Sequence, residues 1–162
     1  MEKEKSCCFT GHRPGKLKMT EERLAKRLEE EIDLAIADGY TTFISGMAPG
    51  TDIVAAEIVL KKKEAFPELR LIAAVPFPGM DKKWPEEWRK RYAQVLAAAD
   101  EIKEIYHRQT RWVFFARNEF MVDHAKRVIA VTNGAAGGTQ KTIDYAVKNE
   151  REIRIIQDSE QV

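Results

Sequence analysis

Long apolar runs are missing from this sequence. No stretch approaches the roughly 20 residues that a membrane-spanning helix needs, and the residues before Ser6 are charged, so neither a span nor a secretion signal is expected. Cysteine is nearly absent as well. Cys7 and Cys8 are the only two, and neighbouring side chains of a strand point to opposite faces, so they are poorly placed to bridge and read as buried thiols. These features predict a cytoplasmic protein with no membrane partner. There is also no surplus of one charge: 27 basic residues against 26 acidic ones leave a formal net charge of +1. Without a global positive field, no nucleic-acid partner is expected, and any basic patch must be local. Lys61-Lys62-Lys63-Glu64 reads as a solvated helix end, where cations suit the dipole. The three histidines, His12, His107 and His124, are scattered without metal-ligand spacing, so no metal is expected.

What is present is an alternation of short apolar runs and helical patterns. With 162 residues, 44% of them hydrophobic, residues 1–162 are expected to form one domain with a real core. Strand candidates lie at residues 6–10, 41–45, 71–75, 101–106, 127–131 and 153–156. Between them, apolar residues recur at helical spacing over 21–38, from Thr51-Asp52 onward, over 85–99, from a cap at Thr110 through Trp112 to Met121, and over 141–149. Gly39 is a helix stop. Strands separated by helices predict an α/β fold: a Rossmann-like, doubly wound, mainly parallel sheet of about six strands with helices on both faces.

In such a sheet the ligand site lies beyond the carboxyl ends of the strands. The chain is organised around residues 41–60, where Ser45-Gly46-Met47-Ala48-Pro49-Gly50-Thr51-Asp52 breaks a strand and opens a helix. Free N–H groups at a helix start favour an anion, so this loop is a phosphate-site candidate. A second loop of that kind, Asn133-Gly134-Ala135-Ala136-Gly137-Gly138-Thr139, follows the strand at 127–131. The first strand ends in Gly11-His12-Arg13, where the arginine can hold a phosphate in a fork and the histidine can stack on a base, bond a ribose or line the loop. Arg117 sits among large apolar residues beside Asn118 and must find a partner, either a ligand phosphate or a structural carboxylate. Trp84 and Trp88 suit packing or base stacking.

The ordered set Thr10-Gly11-His12-Arg13-Pro14, Ser45-Gly46-Met47-Ala48-Pro49-Gly50-Thr51-Asp52, Ala55-Ala56-Glu57, Trp84, Arg117-Asn118 and Gly137-Gly138-Thr139 resembles the SLOG superfamily, which joins the Smf/DprA DNA-processing proteins to the LOG phosphoribohydrolases. The YpsA-like branch is the nearest match, over roughly residues 6 to 157. The resemblance implies a Rossmann-like domain that binds a nucleotide or a nucleotide-derived ligand. No resident cofactor is assigned, and an AMP-, NAD- or ADP-ribose-like nucleotide is the ligand expected. The resembling families commonly dimerise, so the aromatic helix from Trp112 to Met121 is either a homodimer interface or core.

The resemblance leaves three functions open. One is a ligand sensor or binding module. Another is an enzyme cleaving a nucleotide N-glycosidic bond, for which Arg117 sits where LOG enzymes carry a phosphate-contacting and catalytic arginine. Their catalytic glutamate, three positions after the threonine of the glycine loop, is replaced here by Thr142, which cannot act as a carboxylate base. Glu57 is the nearest substitute, with Asp144 and Glu119 behind it. The third is DprA-like binding of single-stranded DNA, although Ala56 stands where those proteins carry a histidine near the end of the central motif.

Overall fold

In the computed structural model, which describes residues 2–106 and 111–159, strands and α-helices alternate: β1 (Ser6–Gly11), α1 (Glu21–Ala37), β2 (Thr42–Ser45), α2 (Thr51–Lys63), β3 (Arg70–Val75), α3 (Glu86–Ala98), β4 (Glu101–Glu104), α4 (Val113–Asp123), β5 (Arg127–Thr132), α5 (Gly138–Lys148) and β6 (Glu152–Gln157). His107 and the cap expected at Thr110 lie outside the described residues. The strands form one parallel sheet in the order β4-β3-β2-β1-β5-β6. Parallel neighbours need a crossover, and the intervening helices supply it.

Alternation along the central strands divides the core in two. Cys7, Phe9, Phe43, Leu71 and Ala73 face α1, α2 and α3. Cys8, Ile44, Ile72, Ala74 and Val128 face α4 and α5. The two cysteines therefore lie on opposite faces, both buried and free, and burial pushes both thiols up. A raised thiol is a poor nucleophile, so they act as small core residues. Strands buried on both faces need apolar side chains throughout, which is why β3 and β5 lack alternation. At the sheet edge, β4 is mostly exposed and does alternate.

Three local outcomes differ from the sequence pattern. Helix α5 begins at Gly138, three residues before Lys141. The first turn of a helix lacks intrahelical acceptors for its N–H groups, so the weak helix propensity of a glycine costs little there. Strand β4 ends at Glu104, although Ile105 N–H still bonds to Val75 O at 2.9 Å and Tyr106 N–H to Pro76 O at 3.1 Å. At α2 the N-cap is Gly50, and Asp52, two residues further on, folds its Oδ2 back to accept the Ala48 N–H at 3.3 Å.

The site follows from the strand order. The chain runs outward from β1 through β2, β3 and β4, then returns to place β5 on the other side of β1. Loops leaving β1 and β5 consequently diverge to opposite faces, and a crevice opens between them at the carboxyl edge.

Candidate functional site

A cavity of about 530 Å³ occupies that crevice. Phe9 and Thr10 form its floor, Gly11, His12, Arg13 and Lys16 one wall, and residues 135–139 with Asn133 the facing wall. Ala48 and Asp52 close it from α2, and Phe114, Arg117 and Asn118 from α4.

Backbone contacts weld three loops into this shape. His12 O accepts Thr51 N–H at 3.4 Å and the Thr51 hydroxyl at 3.1 Å. The His12 ring Nε2 accepts Asn133 N–H at 3.3 Å, which in the neutral imidazole leaves the proton on Nδ1. A Cβ at Gly11 would lie 2.4 Å from Thr51 Oγ1, so only glycine lets α2 approach β1 this closely. Gly50 adopts φ 88°, and a Cβ there would meet His12 O at 2.8 Å. Beyond the first loop, the Asp158 carboxylate accepts Lys18 N–H and Met19 N–H at 3.0 Å, anchoring the segment that carries Arg13 and Lys16.

Arg117 is 6% exposed, yet it makes no salt bridge among the described residues. Its Nη1 donates to Gly46 O and its Nε to Asn118 Oδ1 at 2.7 Å, while Nη2 has no partner among the described residues. Burial lowers its pKa, the Asp52 charge opposes that, and the Arg13 charge adds to it. Asp52 is equally buried, and burial raises its carboxyl against the pull of Arg117, the Ala48 N–H and Arg13. Its Oδ1 has no hydrogen-bond partner among the described residues. A buried cation and a buried carboxylate thus border one cavity, each with a group left over.

The facing wall supplies donors. Gly137 is the N-cap of α5, and Lys141 N–H bonds back to its carbonyl at 3.0 Å. That leaves the first-turn N–H groups of Gly138, Thr139 and Gln140 without intrahelical acceptors. The preceding loop satisfies itself: Gly134 N–H bonds to Thr132 Oγ1 at 3.0 Å and Ala135 N–H to Asn133 Oδ1 at 2.9 Å. Helix-end donors facing Arg13, Lys16 and Arg117 make an anion site, and Asp52 beside them offers an acceptor.

Of the residues singled out from sequence, Gly11, His12, Arg13, Ala48, Asp52, Arg117, Asn118, Asn133, Gly137, Gly138 and Thr139 line the cavity. Ser45, Gly46, Met47, Gly50, Thr51 and Gly134 do not. They support it: Ser45 Oγ donates to Asp52 O at 2.9 Å and accepts Met47 N–H at 3.2 Å, and Met47 is fully buried. Glu57 is a correction to the sequence reading. It does not line the cavity and takes a bidentate fork from Arg91 of α3, at 3.0 and 2.6 Å. Thr142 donates to Gly138 O at 2.9 Å, and Asp144 accepts from Gln140 at 2.9 Å. Trp84 packs edge-on against Tyr92, and Trp88 lies under Arg91, so neither stacks in the cavity. The aromatic side chain at its mouth is Phe114, which the sequence did not mark because it sits in an apolar helix next to Phe115. Lys16, three residues after Arg13 in the same segment, also lines the cavity, and its charge beside that arginine is the signal for it in the sequence.

The family model YpsA, described as "YspA SLOG family", matches residues 7–159. Over 147 residues, 83% of this chain and 84% of the relative, the sequence is 32% identical to the uncharacterized SPbeta prophage-derived protein YoqJ of Bacillus subtilis (strain 168). It is 27% identical over 157 residues, 92% of this chain and 85% of the relative, to a UPF0398 protein of Bacillus thuringiensis (strain Al Hakam). Among solved structures, DNA processing protein A of Streptococcus pneumoniae superposes with a TM-score of 0.71 at 20% identity. That match takes in 97% of this chain but only 52% of the pneumococcal protein, so the chain spans about half its length. DNA processing protein A of Helicobacter pylori, solved for its single-stranded DNA binding mode, superposes with a TM-score of 0.61 at 20% identity over 93% of this chain and 64% of that one.

The last neighbour overturns one expectation. A net charge near zero had argued against a nucleic-acid partner, yet a protein of this fold is described by its binding of single-stranded DNA. Net charge averages the whole surface, whereas this cavity gathers Arg13, Lys16 and Arg117 around one carboxylate, Asp52. Local fields, not the sum, decide which anions a cleft attracts. No helix among the described residues is long and apolar enough to cross a membrane.

Proposed function

This chain belongs to the YpsA family, the YspA SLOG family, and on that premise we propose that the cavity between β1 and β5 binds a nucleotide or a nucleotide-derived ligand. The phosphate rests on the N–H groups opening α5, with Arg13 and Lys16 opposite and the free Nη2 of Arg117 beside it. The observation that carries this reading is Arg117, a guanidinium buried without a carboxylate partner among the described residues, in the cavity that the start of α5 also lines. A buried cation in that state is costly unless an anion arrives to pair with it. Phe114 gives the base an apolar surface at the mouth.

Binding fits the residues better than N-glycosidic hydrolysis. Glu57 is occupied by Arg91, and Asp52 is the one carboxylate bordering the cavity among the described residues. A second reading rests on the Helicobacter pylori neighbour: the nucleotide held is one unit of a single DNA strand.

A thermal-shift panel of AMP, ADP, ATP, NAD, ADP-ribose and a short single-stranded DNA, run on the wild type and on Arg13→Ala, separates these. A ligand at about 100 times its dissociation constant stabilises the fold by about 2.7 kcal/mol. A shift with a mononucleotide that is lost in Arg13→Ala supports the first reading, and a shift with the DNA alone, weakening steeply with salt, supports the second. No shift with any of them overturns both.

A further inference from the structure

Among the described residues Asp52 is the one acidic side chain lining the cavity, which Arg13, Lys16 and Arg117 also line. It is 6% exposed, and its two oxygens are unequal: Oδ2 accepts the Ala48 N–H at 3.3 Å, whereas Oδ1 has no partner among the described residues. Buried carboxylate oxygens are rarely left unpaired, because the lost hydration is not recovered. The backbone of Asp52 is fixed in the first turn of α2, its carbonyl accepting the Ser45 hydroxyl at 2.9 Å, and the Ala48 N–H holds the carboxylate through Oδ2.

An acceptor of this kind beside a phosphate site needs a donor from the ligand. A second phosphate oxygen carries no proton to give and would be repelled by the carboxylate. Asp52 lines the same cavity as Arg13 and Arg117, so the acceptor lies close to the cations that hold the phosphate. A donor there is only a few bonds from phosphorus. A sugar hydroxyl meets that condition, whereas the amino group of a base lies at the far end of a nucleotide.

We infer that Asp52 Oδ1 accepts a hydrogen bond from a ribose hydroxyl of the bound ligand, so that the site selects phosphorylated ribose over its deoxy counterpart. This deepens the nucleotide reading and rests on it. A site built to bond a hydroxyl rejects an analogue that lacks it, because its own buried group is then left unpaired.

Titration calorimetry on the full chain tests this with the four ribonucleoside 5′-monophosphates, their 2′-deoxy and 3′-deoxy counterparts, and inorganic phosphate. The expected result is that a ribonucleotide binds and that removing one of its two hydroxyls weakens binding by about 10- to 100-fold, as for hydrogen bonds to charged groups. In Asp52→Asn the single amide oxygen must serve both Ala48 and the ligand, so that ratio is expected to shrink, while inorganic phosphate, no longer repelled by the carboxylate, binds at least as tightly as to the wild type. Should Asp52→Asn fail to fold, the carboxyl carbon resonance of Asp52 in the wild type gives the same information: it shifts with the ribonucleotide and not with the weaker deoxy form. Equal affinity of ribo and deoxy forms, or a preference that persists unchanged in Asp52→Asn, overturns this inference and leaves the nucleotide site standing. Binding of none of the nucleotides overturns that site as well.

Discussion

Arg117 lies against the backbone of Gly46, its Nη1 donating to the Gly46 carbonyl, so closely that a Cβ on Gly46 would come within 2.7 Å of Nη1. The glycine is therefore required by the arginine of another element, 71 residues away. Gly46→Ala pushes the tip of a flexible side chain and not a strand, so its expected stability cost is modest, about 1–2 kcal/mol. Its effect on ligand binding is larger, since the guanidinium loses both its anchor and its aim: a weakening of about tenfold or more by calorimetry is expected.

Glu57→Gln separates structure from chemistry. Its carboxylate joins α2 to α3 through Arg91, with the Glu57 side chain 34% exposed. Solvent screening at that exposure limits the loss to about 1 kcal/mol in a urea melt. Ligand binding is expected to be unchanged, because Glu57 does not border the cavity.

Asp158 holds the first loop in place from the far end of the chain. Its carboxylate accepts the amides of Lys18 and Met19 at 3.0 Å and is 1% exposed. Asp158→Ala strands the buried Met19 amide and removes the acceptor of the Lys18 amide, at an expected cost of about 2 kcal/mol. The loop bearing Arg13 and Lys16 is released at the same time, so nucleotide affinity measured by calorimetry should fall along with the melting temperature.

Asp100 gives the fold an acid-sensitive contact. Burial alone would raise its carboxyl, but the hydrogen bonds from Lys63 and from Leu71 N–H, the latter at 2.8 Å, outweigh it and hold the group below its ordinary value of 3.8. A carboxyl depressed on folding contributes stability that is complete above that ordinary value and is lost as pH falls through the folded value. The difference between wild type and Asp100→Asn, about 1 kcal/mol at neutral pH, is expected to close as the pH drops below 3.8. Urea melts at the two pH values check it.

The sheet was legible because its central strands are buried on both faces and read as unbroken apolar runs, such as Leu71 to Val75, which stops at Pro76. The two glycine loops and Gly11-His12-Arg13 were legible for the same reason: each interrupts a strand at the edge where parallel sheets bind ligands. What sequence could not give was direction. Phe114 and Phe115 are neighbours in one helix, and only the first turns to the cavity. Glu57 and Arg91 are separated by 34 residues, and nothing local announces their pairing. Ser45 and Gly46 belong to the right loop but lie beneath the cavity, where they shape Asp52 and Arg117 and do not touch a ligand.

The phosphate seat at the start of α5 is tested most directly by amide ¹H–¹⁵N spectra recorded while a nucleotide is titrated into the protein. The expected result is that the Gly138, Thr139 and Gln140 resonances move together, in step with those of Gly11 and Arg13. Saturable shifts that leave these amides unmoved and fall elsewhere, or no shifts with any nucleotide, would contradict the site.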